Sequence, residues 1–243
     1  MKLLLTSAGL TNDSIRGALV GLLGKPIPEC RAVHIPTAVY AFPNGPLFAT
    51  QMANYWAELG WHELGTIELT AIPSLDEQHW LPTLQASDAI LVAGGNNGYL
   101  SYWFHESGLA SRLPKLLDHA VYVGISAGSI LTTPGFNYDP ERFSRTGIYY
   151  DDDEYDEAAP PRAGDHRGLG LVDFHIRPHL FSEDFPDMSL SKMERAAARV
   201  SGTLYAIDDQ SAIVVDGSRI EVVSEGQWRL LDAGAGPRPT SGA

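Results

Sequence analysis

Short apolar runs alternate along this chain with longer stretches whose apolar positions recur at helical spacing. Residues 1–6 read as a strand, and residues 13–23 as a helix that begins near Asn12. Residues 32–35 form a second strand, closed by Pro36 because proline cannot donate to a sheet ladder. Leu47, Met52, Tyr55, Trp56 and Leu59 predict a helix with one apolar face. Ser74-Leu75-Asp76-Glu77 fits a capping box opening a helix that runs to about Leu84. Residues 89–92 and 121–123 are short buried strands, the second preceded by a helix-like segment closing at Leu116-Leu117. This order predicts βαβ units and an α/β fold with a mostly parallel, doubly wound sheet.

The last third changes period. Residues 203–207, 211–215, 219–223 and 227–231 are short strands, separated at hairpin spacing by Asp208-Asp209, Asp216-Gly217 and Glu225-Gly226. The expectation is one domain over residues 1–232, with antiparallel strands added at its C-terminal end. Residues 233–243 are mostly small residues with Gly and Pro, and are expected to be a disordered tail. Residues 133–170 form the one long irregular stretch. It holds six carboxylates in the seven positions 151–157, read as a solvated acidic loop because the spaced ligands and glycine of an EF-hand are missing.

Composition narrows the function. With 30 acidic against 17 basic residues the net charge is −13, which repels nucleic acid, and no basic stripe offsets it. No stretch reaches transmembrane length, and the apolar start is too short for a signal peptide, so a cytoplasmic protein away from the membrane is expected. The single cysteine, Cys30, excludes an intrachain disulfide framework. The histidines lack ligand spacing, so neither metal nor cofactor is expected. Antiparallel edge strands near the C-terminus could pair between subunits in a homodimer.

Three segments carry chemistry. Gly124-Ile125-Ser126-Ala127-Gly128 follows a predicted strand and precedes a helix-compatible run, the context of a nucleophile elbow. Its glycines allow a sharp turn that projects the Ser126 hydroxyl, and the Ala127 amide then faces a developing oxyanion. Gly94-Gly95-Asn96-Asn97 ends another strand. Read alone it is a plain βα turn or a weak anion cradle, but beside a serine elbow Gly94 or Gly95 becomes a second oxyanion donor. Asp173-Phe174-His175-Ile176-Arg177-Pro178-His179 places His179 just past a strand end, with His175 as the rival imidazole. A serine hydroxyl needs a neighbouring imidazole to take its proton, and the imidazole needs a carboxylate to hold its tautomer. Asn96 and Arg177 are the candidate substrate contacts. The guanidinium suits a substrate carboxylate and equally an ion pair with the acidic loop.

Taken together, these motifs resemble the aspartyl dipeptidase and cyanophycinase family of serine peptidases over nearly the whole chain. Residues 4–9, 35–38 and 205–209 add to the likeness. The resemblance implies a fold like that of class I glutamine amidotransferases, with serine in place of their cysteine. It implies a Ser-His-acid triad with Ser126 as nucleophile and His179 as base, acting on small peptides with an acidic residue at the cleavage position. The family's acid lies in the segment after the elbow helix; counting without gaps gives Glu141, with Asp139 as the rival and 151–157 as a further source. Two other readings stay open: a hydrolase of β-aspartyl polymers, and a catalytically silent peptide-binding protein on the same scaffold.

Overall fold

The computed structural model describes residues 1–136, 168–198, 200–232 and 235–238. Strands β1 (Lys2–Thr6), β2 (Arg31–Ile35), β3 (Glu63–Thr66), β4 (Ala89–Val92) and β5 (Val121–Ile125) lie parallel in the order β3-β2-β4-β5-β1. Every residue of β4 and β5 is buried, because helices cover both faces at the sheet's centre, and this is why both read as unbroken apolar runs. Successive side chains face opposite ways, so Leu3, Leu5, Ile90 and Val92 enter one core while Leu4, Ala89 and Leu91 enter the other.

Helix α1 (Asp13–Leu23) starts where Asn12 Oδ1 accepts the Ile15 N–H at 2.9 Å and ends at Gly24 in the left-handed region. Helix α2 (Gly45–Ala57) carries the predicted apolar face: Trp56 is fully buried and Met52 and Tyr55 pack against the same core. Leu47, expected on that face, is exposed. The capping box at Ser74 does not form. Ser74 Oγ instead donates back to the Ala71 carbonyl, and only a 3-10 turn and the short helix α3 (Leu81–Gln85) follow. Helices α4 (Asn97–Glu106), α5 (Leu109–Leu116) and α6 (Ala127–Ile130) flank β4 and β5.

The antiparallel additions are divided between two sheets. After β6 (His175–Arg177), helix α7 (Leu190–Ala197) and β7 (Thr203–Ile207), strands β8 (Ser211–Asp216) and β9 (Arg219–Ser224) extend the main sheet beyond β1. Strands β10 (Trp228–Asp232) and β11 (Ala235–Arg238) join β7 and β6 in a separate four-stranded sheet, ordered β11-β10-β7-β6, in which only β6 and β7 run parallel. Within the segment expected to be a disordered tail, residues 235–238 thus pair with β10. Phe174 and Ile176 on the β6 segment pack into one core of the main sheet, which brings the end of β6 over the carboxyl ends of β4 and β5.

Candidate active site

The chain leaves β5 through a turn at Ser126, whose φ of 47° and ψ of −108° lie in a region that costs about 1–3 kcal/mol for a residue with a side chain. Packing on both sides enforces the turn. A Cβ on Gly124 would sit 2.7 Å from the Gly128 carbonyl, and one on Gly128 would meet the Val92 carbonyl oxygen. Tyr122 Oη donates to that Gly128 carbonyl at 2.6 Å, Thr6 Oγ1 donates to Gly124 O at 2.7 Å, and Ser129 Oγ donates to Thr6 O at 2.7 Å. The strain at Ser126 is held by these buried bonds, so its hydroxyl stands out from the sheet edge.

His179 arrives from the other sheet. Pro178 ends β6, and His179 itself has a φ of 64°. Its backbone N–H donates to Ser7 Oγ at 2.8 Å, and its ring stacks on Phe185 with centroids 4.2 Å apart. Nε2 lies 2.9 Å from Ser126 Oγ, across 53 positions of chain. His179, and not His175, is therefore the imidazole at the serine. Nδ1 lies 2.7 Å from Asp209 Oδ1.

Asp209 occupies the turn between β7 and β8. Oδ1 also accepts Ser7 Oγ at 2.6 Å, and Oδ2 accepts Ser182 Oγ at 2.6 Å. Burial alone would raise its pKa; bonds from His179, Ser182 and Ser7, with the attraction of His179, outweigh that and bring it down to about 2. An ionised Asp209 can only accept, so Nδ1 carries the proton and Nε2 offers its lone pair to the Ser126 hydroxyl.

Glu141 and Asp139, the carboxylates expected beside His179, and the acidic run at 151–157 lie outside the described residues. Asp209 holds the Nδ1 position. The pair Asp208-Asp209 reads in sequence as a hairpin turn, and half of it is one: Asp208 accepts from the Gln210 amide, Ser211 Oγ and the Gln227 amide. Its neighbour points the other way, toward His179. The available cue was position, since the pair follows a strand just as Ser126 and His179 do.

Ser126 and His179 border a cavity of about 160 Å³ whose lining includes Gly95, Asn97, Arg177 and Phe185. Arg177 is buried at its wall. A Cβ on Gly94 would lie 3.1 Å from Ser126 Cβ, so this backbone abuts the serine, and Gly95 has a φ of 138° that an L side chain rarely adopts. Ala127 opens α6 directly after Ser126. Asn96 faces elsewhere: it is buried, and its Oδ1 accepts the Tyr99 N–H at 2.8 Å as the cap of α4, leaving Asn97 at the cavity.

The model of peptidase family S51 matches residues 3–223. The chain belongs to peptidase family S51. The family is one of serine-type peptidases, which are hydrolases, and Ser126 lies at a turn between a strand and a helix. The chain's sequence is 25% identical over 138 residues to the uncharacterized peptidase Lmo0363 of Listeria monocytogenes, a stretch covering 56% of this chain and 60% of that relative. The fold is similar to a peptidase E protein from Listeria monocytogenes EGD-e, with TM-score 0.60 and 20% identity over 93% of this chain and 98% of that one. A peptidase from an acI-B1 Actinobacterium gives TM-score 0.67 and 18% identity over 98% and 92%. Among the described residues of this S51 peptidase, no helix is long and apolar enough to cross a membrane.

Proposed function

We propose that this S51 peptidase hydrolyses short peptides beside an acidic residue through Ser126, His179 and Asp209, by way of an acyl-enzyme. The observation that carries this reading is the continuous line from Ser126 Oγ to His179 Nε2 at 2.9 Å and from Nδ1 to Asp209 at 2.7 Å. In the first half-reaction Ser126 Oγ bonds to the scissile carbonyl carbon while its proton passes to Nε2. The Asp209 carboxylate stabilises the imidazolium and keeps the ring oriented without taking the proton itself. The amides of Gly95 or Gly94 and of Ala127 face the oxyanion, where one such donor contributes about 3 kcal/mol. The carbon–nitrogen bond then breaks, the amine leaves with the proton from Nε2, and an ester to Ser126 remains. Water attacks that ester and gives a proton to Nε2, which passes it to Ser126 Oγ as the carbon–oxygen bond breaks and the acid departs.

Arg177 supports the acidic preference. A buried guanidinium at the wall of the serine's cavity places a positive charge that suits a substrate carboxylate. Asp209 beside the imidazole also favours a working enzyme over a silent scaffold, because it supplies the tautomer that the serine needs. Purified protein should hydrolyse Asp-Leu and release leucine, and Ser126→Ala should abolish turnover. Unchanged turnover in that variant would refute the mechanism. Arg177→Met should raise KM for Asp-Leu more than for Ala-Leu, while release of β-aspartyl-arginine units from a β-aspartyl-arginine polymer in preference to cleavage of Asp-Leu would reassign the substrate.

A further inference from the structure

A second cavity lies on the opposite side of the sheet edge that bears Ser126. It is an open groove of about 430 Å³, and its walls include Phe42, Phe48, Met52 and Ile125, with Gly94 and Gly95 toward the serine. The cavity is lined by no charged residue, and its polar side chains are Gln51 and Tyr55. The Tyr55 oxygen already accepts the Leu10 N–H at 2.7 Å. Phe42 and Gly95 line this cavity and the one at Arg177 alike, so the two chambers adjoin beside Ser126. Met52, Tyr55 and Ile125 belong to one core of the main sheet, whereas Ile130 at the first cavity belongs to the other. The chambers therefore flank the ends of β4 and β5, one on each face.

We propose that the second chamber is the subsite for the residue joined through the scissile bond to the one held at Arg177, and that it selects an apolar side chain of leucine to phenylalanine size. The inference rests on the peptidase reading above and adds the identity of the second residue. A carbonyl carbon placed at Ser126 Oγ, with its oxygen toward the Gly95 amide, sets the substrate astride the sheet edge. In an extended peptide neighbouring side chains point to opposite sides, so one enters each chamber. The volume fits this occupant, since a dry cavity of about 150 Å³ already holds a benzene ring. Phe42 is 40% exposed and Phe48 44% exposed, an apolar rim that a substrate side chain would cover. The first chamber offers a buried cation and the second offers none, so the substrate class is an acidic residue bonded to an apolar one.

The test compares Asp-Leu, Asp-Phe and Asp-Gly. Wild-type kcat/KM should favour Asp-Leu and Asp-Phe over Asp-Gly by at least about 10-fold, since a single methylene in an apolar pocket already contributes about 10- to 200-fold. Met52→Trp fills the chamber and Phe48→Ala removes an exposed wall without touching the core; both should shrink that ratio several-fold. Equal kcat/KM for the three peptides in the wild type, or a ratio that neither variant alters, would overturn the inference. Equilibrium binding to the Ser126→Ala protein reads the subsite without turnover. If the wild type cleaves none of the peptides, the peptidase reading fails on its own, while an Asp-Leu to Asp-Gly affinity ratio of about 10 that Met52→Trp lowers still supports the subsite. A ratio near one in that measurement overturns it. A dimer in sedimentation that Phe48→Ala dissociates, with the peptide ratio unchanged, would assign this face to a second copy of the chain and overturn it as well.

Discussion

Ser7 Oγ accepts the backbone N–H of His179 at 2.8 Å, joining the end of β1 to a residue 172 positions away. The same hydroxyl donates to Asp209 at 2.6 Å, so one buried side chain holds both the backbone of the imidazole and the carboxylate behind it. His179 needs such a tether, because its φ of 64° is unfavourable for a residue with a side chain. Ser7→Ala removes the tether and leaves a buried N–H unpaired. We expect kcat to fall about 10²-fold, the cost of misplacing a reacting group by about 1 Å, with KM little changed. Steady-state kinetics on Asp-Leu checks the split; a rise in KM alone would mean that Ser7 serves substrate binding.

Asp209→Asn tests the carboxylate separately from its shape. The amide can donate to Nδ1, which places the proton on Nε2 and removes the lone pair that Ser126 needs. A loss of about 10⁴-fold in kcat is expected, as for the equivalent change in other triads. Stability should respond as well. The folded pKa of about 2 lies below the ordinary 3.8, so ionised Asp209 stabilises the native state fully above pH 4 to 5. That contribution, about 2 kcal/mol at most, disappears as pH falls through 2. The gap in melting temperature between wild type and Asp209→Asn should therefore be wide at pH 7 and narrow at pH 2.

Much of the parallel sheet and two members of the serine–histidine–carboxylate line are legible in sequence, for a local reason. β4 and β5 are buried on both faces and read as apolar runs, while Gly124, Gly128 and Pro178 mark the turns that expose Ser126 and His179. β3 is not legible, since its four residues Glu63–Thr66 are half-buried or exposed at the sheet edge and include a glycine. The split of the C-terminal strands between two sheets is equally hidden, because hairpin spacing specifies a neighbour in sequence and not which sheet receives each strand. Asp209 eludes a local reading most completely. Its role arises from bonds to Ser7, His179 and Ser182, formed only when three distant segments meet, and nothing in the dipeptide Asp208-Asp209 tells the turn-forming carboxylate from the one that reaches the imidazole.

Gly95→Ala should damage catalysis more than folding. A Cβ there would lie 2.5 Å from the Ala38 carbonyl, and the φ of 138° disfavours any side chain. Relief requires rotating the 94–96 backbone, which turns away the amide proposed to face the oxyanion. Losing that donor predicts a fall of about 10² to 10³ in kcat, with far-ultraviolet circular dichroism retained. Full activity in this variant would exclude Gly95 from the oxyanion site.

His34 predicts how the fold responds to acid. It lies on β2, fully buried, and neither ring nitrogen has a hydrogen-bond partner among the described residues. Burial disfavours the imidazolium and lowers its pKa from 6.5 to about 4. Between those two values the unfolded chain binds a proton that the folded chain does not, so stability rises with pH across that window. Its depressed pKa favours the folded state fully above pH 6.5, an advantage that is lost as pH falls and is gone below 4. A shift of this size corresponds to about 3 kcal/mol. His34→Leu fills similar space without a titrating group, so its urea midpoint should change much less between pH 7 and pH 4 than that of the wild type. Parallel curves for the two proteins across that range would show that the imidazole takes up its proton equally in both states.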